Sequence, residues 1–446
     1  VNFRKMGMMT ASAMLVFLAA CSSGGGDKAA APAEQGAAPA AAQASKGPVE
    51  LRVFWWGNAD RAKLYDQIFD LYQKENPNVK IIREWTGFGD YWPKLATQAA
   101  GGNLPDVFGL HMLLYGGEYS NKKILEPLQP FVDKGVIKLD GWDKAAVDAG
   151  KVGGTLYAIP KGITISALIV NNSLIKSAGA DLPPSNMNYD QFKDYLMKLK
   201  AKLTKDQYAI TDVSYNDHGF ESFLRGKGKS LMTEDGKKLG FAKEDLKEFW
   251  AYWDELRKAG IAPSPQVTAE TSGQPAENSM FAKKKLAIDF QPSNYGKIYS
   301  RSLPQEDLGI MRFPSVNNAK FKSGENLQAP AWVISNKSKQ KEEAAKLVNW
   351  FVNDLAPQKI YNLENGIPGT KTIRDGLMAS LDPMDVKAVK HMEEISPDIP
   401  PTTIRPEGAP KVFTVYKKQL EQYAFGKLNL DQAVDTFFTE VEKALK

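Results

Sequence analysis

The chain is poor in the side chains that carry most thiol and soft-metal chemistry. Its 446 residues include one cysteine, Cys21, and three histidines, His111, His218 and His391. A single thiol cannot close an internal disulfide or share a zinc ion with a second thiol, and the widely spaced histidines match no H-E-x-x-H pattern. G-x-S-x-G and Walker-type loops are missing too, so neither an acyl-transfer nucleophile nor a phosphate cradle is signalled. No Tyr-Tyr dipeptide occurs of the kind a ferric site would use, no repeat of fixed period is visible, and no second long apolar run follows the N-terminal one. The formal charge of +5 is spread out, with Lys interleaved among Asp and Glu, which argues against nucleic acid as a partner. What remains is 43% apolar and 24% charged, ordinary for a globular protein and long enough for two or more domains.

Near the N-terminus Arg4 and Lys5 precede the short apolar run "MLVFLAA", so residues 1–20 are expected to be an export signal rather than a membrane span. Leu18-Ala19-Ala20-Cys21 resembles the lipobox of bacterial lipoproteins, which implies that Cys21 is diacylated. Two acyl chains suffice for stable attachment, whereas one holds marginally. Residues 22–47 have no large apolar side chain and are rich in Ala, Pro and Gly, so 21–47 reads as an anchored cysteine followed by a flexible tether.

Beyond the tether, strand and helix patterns alternate, which predicts an α/β fold with a mostly parallel sheet covered on both faces. "VELRVFWW" reads as a strand, and a helix follows from Ala59 with Asn58 as its cap and Asn76-Pro77 as its stop. "NVKIIREW" and "DVFGLH" are further strands, flanking a helix that ends at Gly101. "GTLYAIPKGITISALIVNN" is a β-branched run long enough to leave one sheet and enter another. "KKKLAIDFQPSNYGKIYS" is a strand running into a helix, "EDLGIMRFP" and "QAPAWVISN" are strands, and the rest is mainly helical.

Ligands in open α/β sheets collect at the carboxyl ends of strands. That rule points to the pair Trp55-Trp56 and to Asn58 after the first strand; because side chains alternate along a strand, one indole belongs to the core, and Trp56 is favoured as the ligand plate. Phe88, Asp90, Tyr91 and Trp92 follow the second strand, and His111 the third. Asp289, Gln291, Asn294 and Tyr295 sit at a later strand end, and Trp332 is a further candidate plate. Aromatic faces beside short polar groups suit a sugar, whose C–H face packs on a ring while its hydroxyls need donors and acceptors.

The order of "VELRVFWWGNA", "FDLYQKENPNVKI", "KLATQAAGGNLPDVFGL", "KKILEPLQPFVDKG", "MFAKKKLAIDFQPSNYGKI", "AWVISNKSKQKEEAAKLVNWFVND" and "NGIPGT" resembles the family 1 extracellular solute-binding proteins, receptors of carbohydrate ABC importers related to maltodextrin-binding proteins. The resemblance implies a two-lobed periplasmic-binding-protein fold, type II-like, with a sugar in the cleft between lobes. It places 48–162 plus 314–353 in an N-terminal lobe and 163–313 plus 354–446 in a C-terminal lobe, with crossings near Gly162-Ile163 and Arg312-Phe313. It adds Asp60, Thr164 and Arg405 to the candidate contacts. It implies a monomer without cofactor or metal, anchored on the extracytoplasmic face and delivering a carbohydrate to permease subunits served by an ATPase. Two alternatives stay open. One is the same fold with a non-sugar ligand such as a polyamine, and the other a secreted carbohydrate-active enzyme with a carboxylate pair such as Asp289 and Asp60.

Overall fold

A computed structural model describes residues 48–317, 322, 324–400 and 402–445. The expected export signal, Cys21 and the tether lie outside the described residues. The strands in chain order are β1 (Val49–Trp56), β2 (Val79–Thr86), β3 (Val107–His111), a small hairpin of β4 (Lys151–Val152) and β5 (Thr155–Leu156), β6 (Ala158–Pro160), β7 (Thr164–Asn171), β8 (Tyr208–Ile210), β9 (Leu286–Pro292), β10 (Leu308–Met311), β11 (Leu327–Gln328) and β12 (Pro330–Ile334). They form two five-stranded sheets besides the hairpin. The first runs β2-β1-β3-β12-β6, and the second runs β10-β7-β9-β8 with β11 also on β7.

The first sheet is built on β1, whose side chains divide between its two faces. Leu51, Val53 and Trp55 pack in one core layer, while Phe54 and Trp56 pack in another. β1 pairs parallel with β2 on one side and β3 on the other because helices Ala59–Glu75 and Phe88–Ala100 return the chain to the same end of the sheet each time. The first of these helices starts where Asn58 accepts from the Arg61 amide, and Asn76 stops it, as the sequence predicts. The second sheet has its own core, where Leu168, Ile288, Trp250, Trp253 and Phe437 meet.

The prediction of a mostly parallel arrangement needs correction. β12 lies antiparallel to β3 and β6, and β7 lies antiparallel to β9, β10 and β11. The reason is the crossings: β6 and β7 are one run of chain broken at Lys161-Gly162-Ile163, and β11 and β12 are another broken at Ala329. Each run enters its second sheet from the end at which it left the first.

The return crossing also comes later than the expected 313/314 boundary. Phe313 and Val316 still pack in the second core, and Leu327 and Gln328 still pair with Ile165 and Thr164. A third crossing lies beside these, where Ile163 and Ile367 exchange backbone hydrogen bonds of 2.8 Å. Gly366 there has φ of +119°, and a Cβ on it would stand 2.5 Å from the Ile163 oxygen. Only glycine fits. The helix Leu355–Tyr361 precedes that crossing and buries Tyr361 against Tyr65 and Phe351 of the first lobe, so the expected second-lobe segment beginning at 354 starts too early.

Candidate functional site

In the first lobe an aromatic wall stands at the ends of β1 and β2. Phe88 is 46% exposed and packs edge-on to Trp92 at 5.4 Å between ring centroids. The half-buried Trp92 stacks in turn on Tyr115, with 3.8 Å between ring centroids and 24° between the ring planes. Trp56 backs this wall rather than forming its surface. Gly109 lies so close that a Cβ there would come 2.8 Å from the Trp56 ring, and the Lys161 ammonium nitrogen stands 4.7 Å from its centroid. With 5% of its surface exposed, Trp56 is corrected from a stacking plate to a support.

Two other expected contacts are core residues. Tyr91 is wholly buried and donates its hydroxyl to the Gly109 carbonyl at 2.7 Å. Trp332 is buried in the opposite layer between Tyr65, Phe351 and Lys161, so neither ring offers a ligand its face. Asn58 caps its helix at 2.9 Å, Asp60 is exposed and pairs with Lys63, and Asp90 is exposed on the helix that carries Trp92.

Lys161, at the first crossing, is buried. Its Nζ lies over the Trp56, Tyr65 and Trp332 rings and donates to the Tyr65 hydroxyl at 3.1 Å. Burial, helped by the nearby Arg61 guanidinium, pushes its amine well below the ordinary lysine range. Arg61 is held by Glu364 at 2.9 Å.

In the second lobe a cavity of about 310 Å³ opens past the ends of the parallel pair β8 and β9. Volumes in this range hold small ligands. Its polar lining includes Thr211, Tyr215, Asn216, Asp289, Gln291 and Tyr295. The Asp289 carboxylate accepts from the Tyr299 hydroxyl at 2.6 Å and from the Gln291 amide at 3.2 Å. Burial raises this carboxyl to about 6, against the partial relief those bonds give. Asn294 does not line the cavity. It stands at the start of the helix Tyr295–Ser302, which aims Tyr295 inward.

The backbone register links the two lobes. His111 pairs with Pro330, Gln328 with Thr164, and Pro292 with Ser166, so a line of polar residues runs from β3 across the crossings to Gln291. Along it His111 Nδ1, Gln328 Nε2 and Ser166 Oγ are buried without a hydrogen-bond partner in the protein. Burial pushes the His111 imidazole down to about 3, with His218 and Arg405 adding repulsion. Thr164 is buried within this floor.

Arg405 lies beside it but is fully engaged. It gives Glu221 a bidentate pair at 2.8 and 2.7 Å, pairs with Asp217 at 2.8 Å, and lies over Phe413. Its backbone amide donates to Leu113 of the first lobe. As a ligand contact Arg405 is therefore corrected to a strap between lobes. Sequence reasoning missed Tyr115, Thr211, Tyr215, Asn216 and Gln328, because no periodicity separates a cavity-lining polar residue from a solvated one.

The family model described as "Bacterial extracellular solute-binding protein" matches residues 67–394. The chain belongs to that family. Among solute-binding relatives, a protein of Streptococcus pneumoniae serotype 4 named a carbohydrate ABC transporter substrate-binding protein is 22% identical over 288 residues, covering 62% of this chain. The match spans 56% of that relative's own length. A family 1 extracellular solute-binding protein from Alicyclobacillus acidocaldarius has the same fold with a TM-score of 0.74 and 24% identity, over 90% of this chain and 99% of its own. A periplasmic oligogalacturonide binding protein from Yersinia enterocolitica, solved with saturated digalacturonic acid, follows at a TM-score of 0.73 and 21% identity, over 89% and 100%. The two-lobed α/β solute-binding fold expected from the sequence is thus shown. Among the described residues no helix is long and apolar enough to cross a membrane.

Proposed function

We propose that this solute-binding protein is a carbohydrate receptor that closes its lobes on a saccharide and hands it to an ABC permease. One observation carries the reading: an aromatic wall with an exposed ring in one lobe, and a cavity lined with hydroxyls, amides and a carboxylate in the other, joined by a polar floor at the crossings. Rings take the C–H face of a pyranose, and the short polar groups take its hydroxyls. Phe88, Trp92 and Tyr115 would form the plate, with Asp289, Gln291, Tyr295, Tyr215 and Asn216 opposite and His111 and Thr164 below. Asn58, Asp60 and Asp90 would lie at the rim. The relatives' names, carbohydrate substrate-binding among them, support the same reading.

The protein would act as a monomer without a catalytic step. Glycoside hydrolysis needs two available carboxyl groups; of the candidates to join Asp289, Asp212 is spent on Arg257 at 2.7 Å, and Asp60 is exposed outside the cavity and paired with Lys63. Diacylated Cys21 would hold the receptor on the extracytoplasmic face, with residues 22–47 as its tether and the permease and its ATPase as partners.

Calorimetry on the bound saccharide tests the plate. Phe88→Ala with Trp92→Ala should weaken binding by about tenfold or more, a loss of roughly 1.4 kcal/mol or more, while Trp55→Phe leaves affinity unchanged. Equal affinity in the double variant would remove the aromatic wall from the site.

A further inference from the structure

The charge around the cavity restricts the saccharide further, and this step rests on the receptor reading above. No lysine or arginine lines the cavity. Asp289 is 5% exposed, and its hydrogen-bond partners, Tyr299 and Gln291, are uncharged. The other lining carboxylate, Asp212, is already neutralised by Arg257, which also donates to Ser214 at 2.8 Å.

The cations nearest the site on other elements are engaged as well. Arg405 serves Glu221 and Asp217, Arg61 serves Glu364, and Lys161 is buried beneath Trp56. On the aromatic rim the exposed Asp60 and Asp90 stand beside Lys63 and Lys94, which pair with Asp60 and Glu84. An anionic ligand in the cavity would therefore meet a carboxylate in a poorly solvated wall, with no lysine or arginine among the lining residues to answer it.

We infer that the ligand is a saccharide bearing no acidic group and that Asp289 sets this selectivity. The carboxylate accepts hydrogen bonds from hydroxyls, which only a neutral or amine-bearing sugar supplies without repulsion. In a partly desolvated cavity two like charges about 6 Å apart repel strongly enough to lower affinity by tenfold or more.

The test compares three forms of one ligand on the wild-type protein by calorimetry. A panel of neutral gluco- and galacto-oligosaccharides first supplies the tightest binder. That sugar is then compared with its C6-oxidised form as the free carboxylate and as the primary amide of equal shape. The amide should bind within about threefold of the parent and the carboxylate at least about tenfold more weakly. Asp289→Asn should narrow the gap between carboxylate and amide. A carboxylate that binds as tightly as the amide overturns this inference alone. A panel in which no neutral saccharide binds overturns the receptor reading, and this inference with it.

Discussion

Asp289 shows how much one side chain can decide here. Its carboxyl is held near 6 by burial, above the ordinary carboxylate value, so the folded chain binds this proton more tightly than the unfolded chain does. Stability from this group is therefore present at low pH and is lost as pH rises through about 6. Asp289→Asn, which removes the buried charge, should raise unfolding free energy at pH 7 by on the order of 2 kcal/mol, with the gain shrinking toward pH 4. Urea unfolding at the two pH values checks this, and a pH-independent difference would assign the titration elsewhere. At this scale the sequence was legible where alternation governs. Trp55 and Trp56 fall on opposite faces of β1, with Trp55 stacked on Tyr65 at 4.7 Å. It was not legible where depth governs. A strand-end position says nothing of whether Tyr91 or Trp332 is covered by the next layer, and both are.

Among the elements, helices were read best because their ends carry chemistry that acts locally. Asn58 caps the helix Ala59–Glu75 and Asn76 stops it, as read from the sequence. The crossings were read less well. The run through Gly162 announces the first, but the return through Gln328-Ala329 and the turn at Gly366 depend on backbone meeting backbone over long sequence separations. The strap at Arg405 is of the same kind, since its partners Glu221 and Asp217 lie far upstream. Removing only the arginine leaves the buried Glu221 with Asn326 and His218 but without its bidentate cation. Arg405→Met should thus cost about 3–5 kcal/mol, and adding Glu221→Gln should restore a large part of that loss. Thermal unfolding of the two single variants and the double variant measures the coupling. Strictly additive losses would mean that the bidentate pair is not what joins the strap to the second lobe.

Among the described residues, two sheets with separate cores are joined by crossing strands, the Arg405 strap and contacts such as Asp143 with Arg374. In the proposed receptor the lobes would move as bodies about Gly162, Ala329 and Gly366 while each keeps its half of the site. A ligand held by both halves stabilises the folded state by mass action, since neither half persists in the unfolded chain. The most direct measurement is thermal unfolding of the protein across mono-, di- and oligosaccharides, polyamines and metal ions at fixed protein concentration. The account predicts a concentration-dependent rise in Tm with at least one saccharide and none with polyamines or metals. A clear shift from a polyamine or metal ion, with none from any carbohydrate, would contradict it.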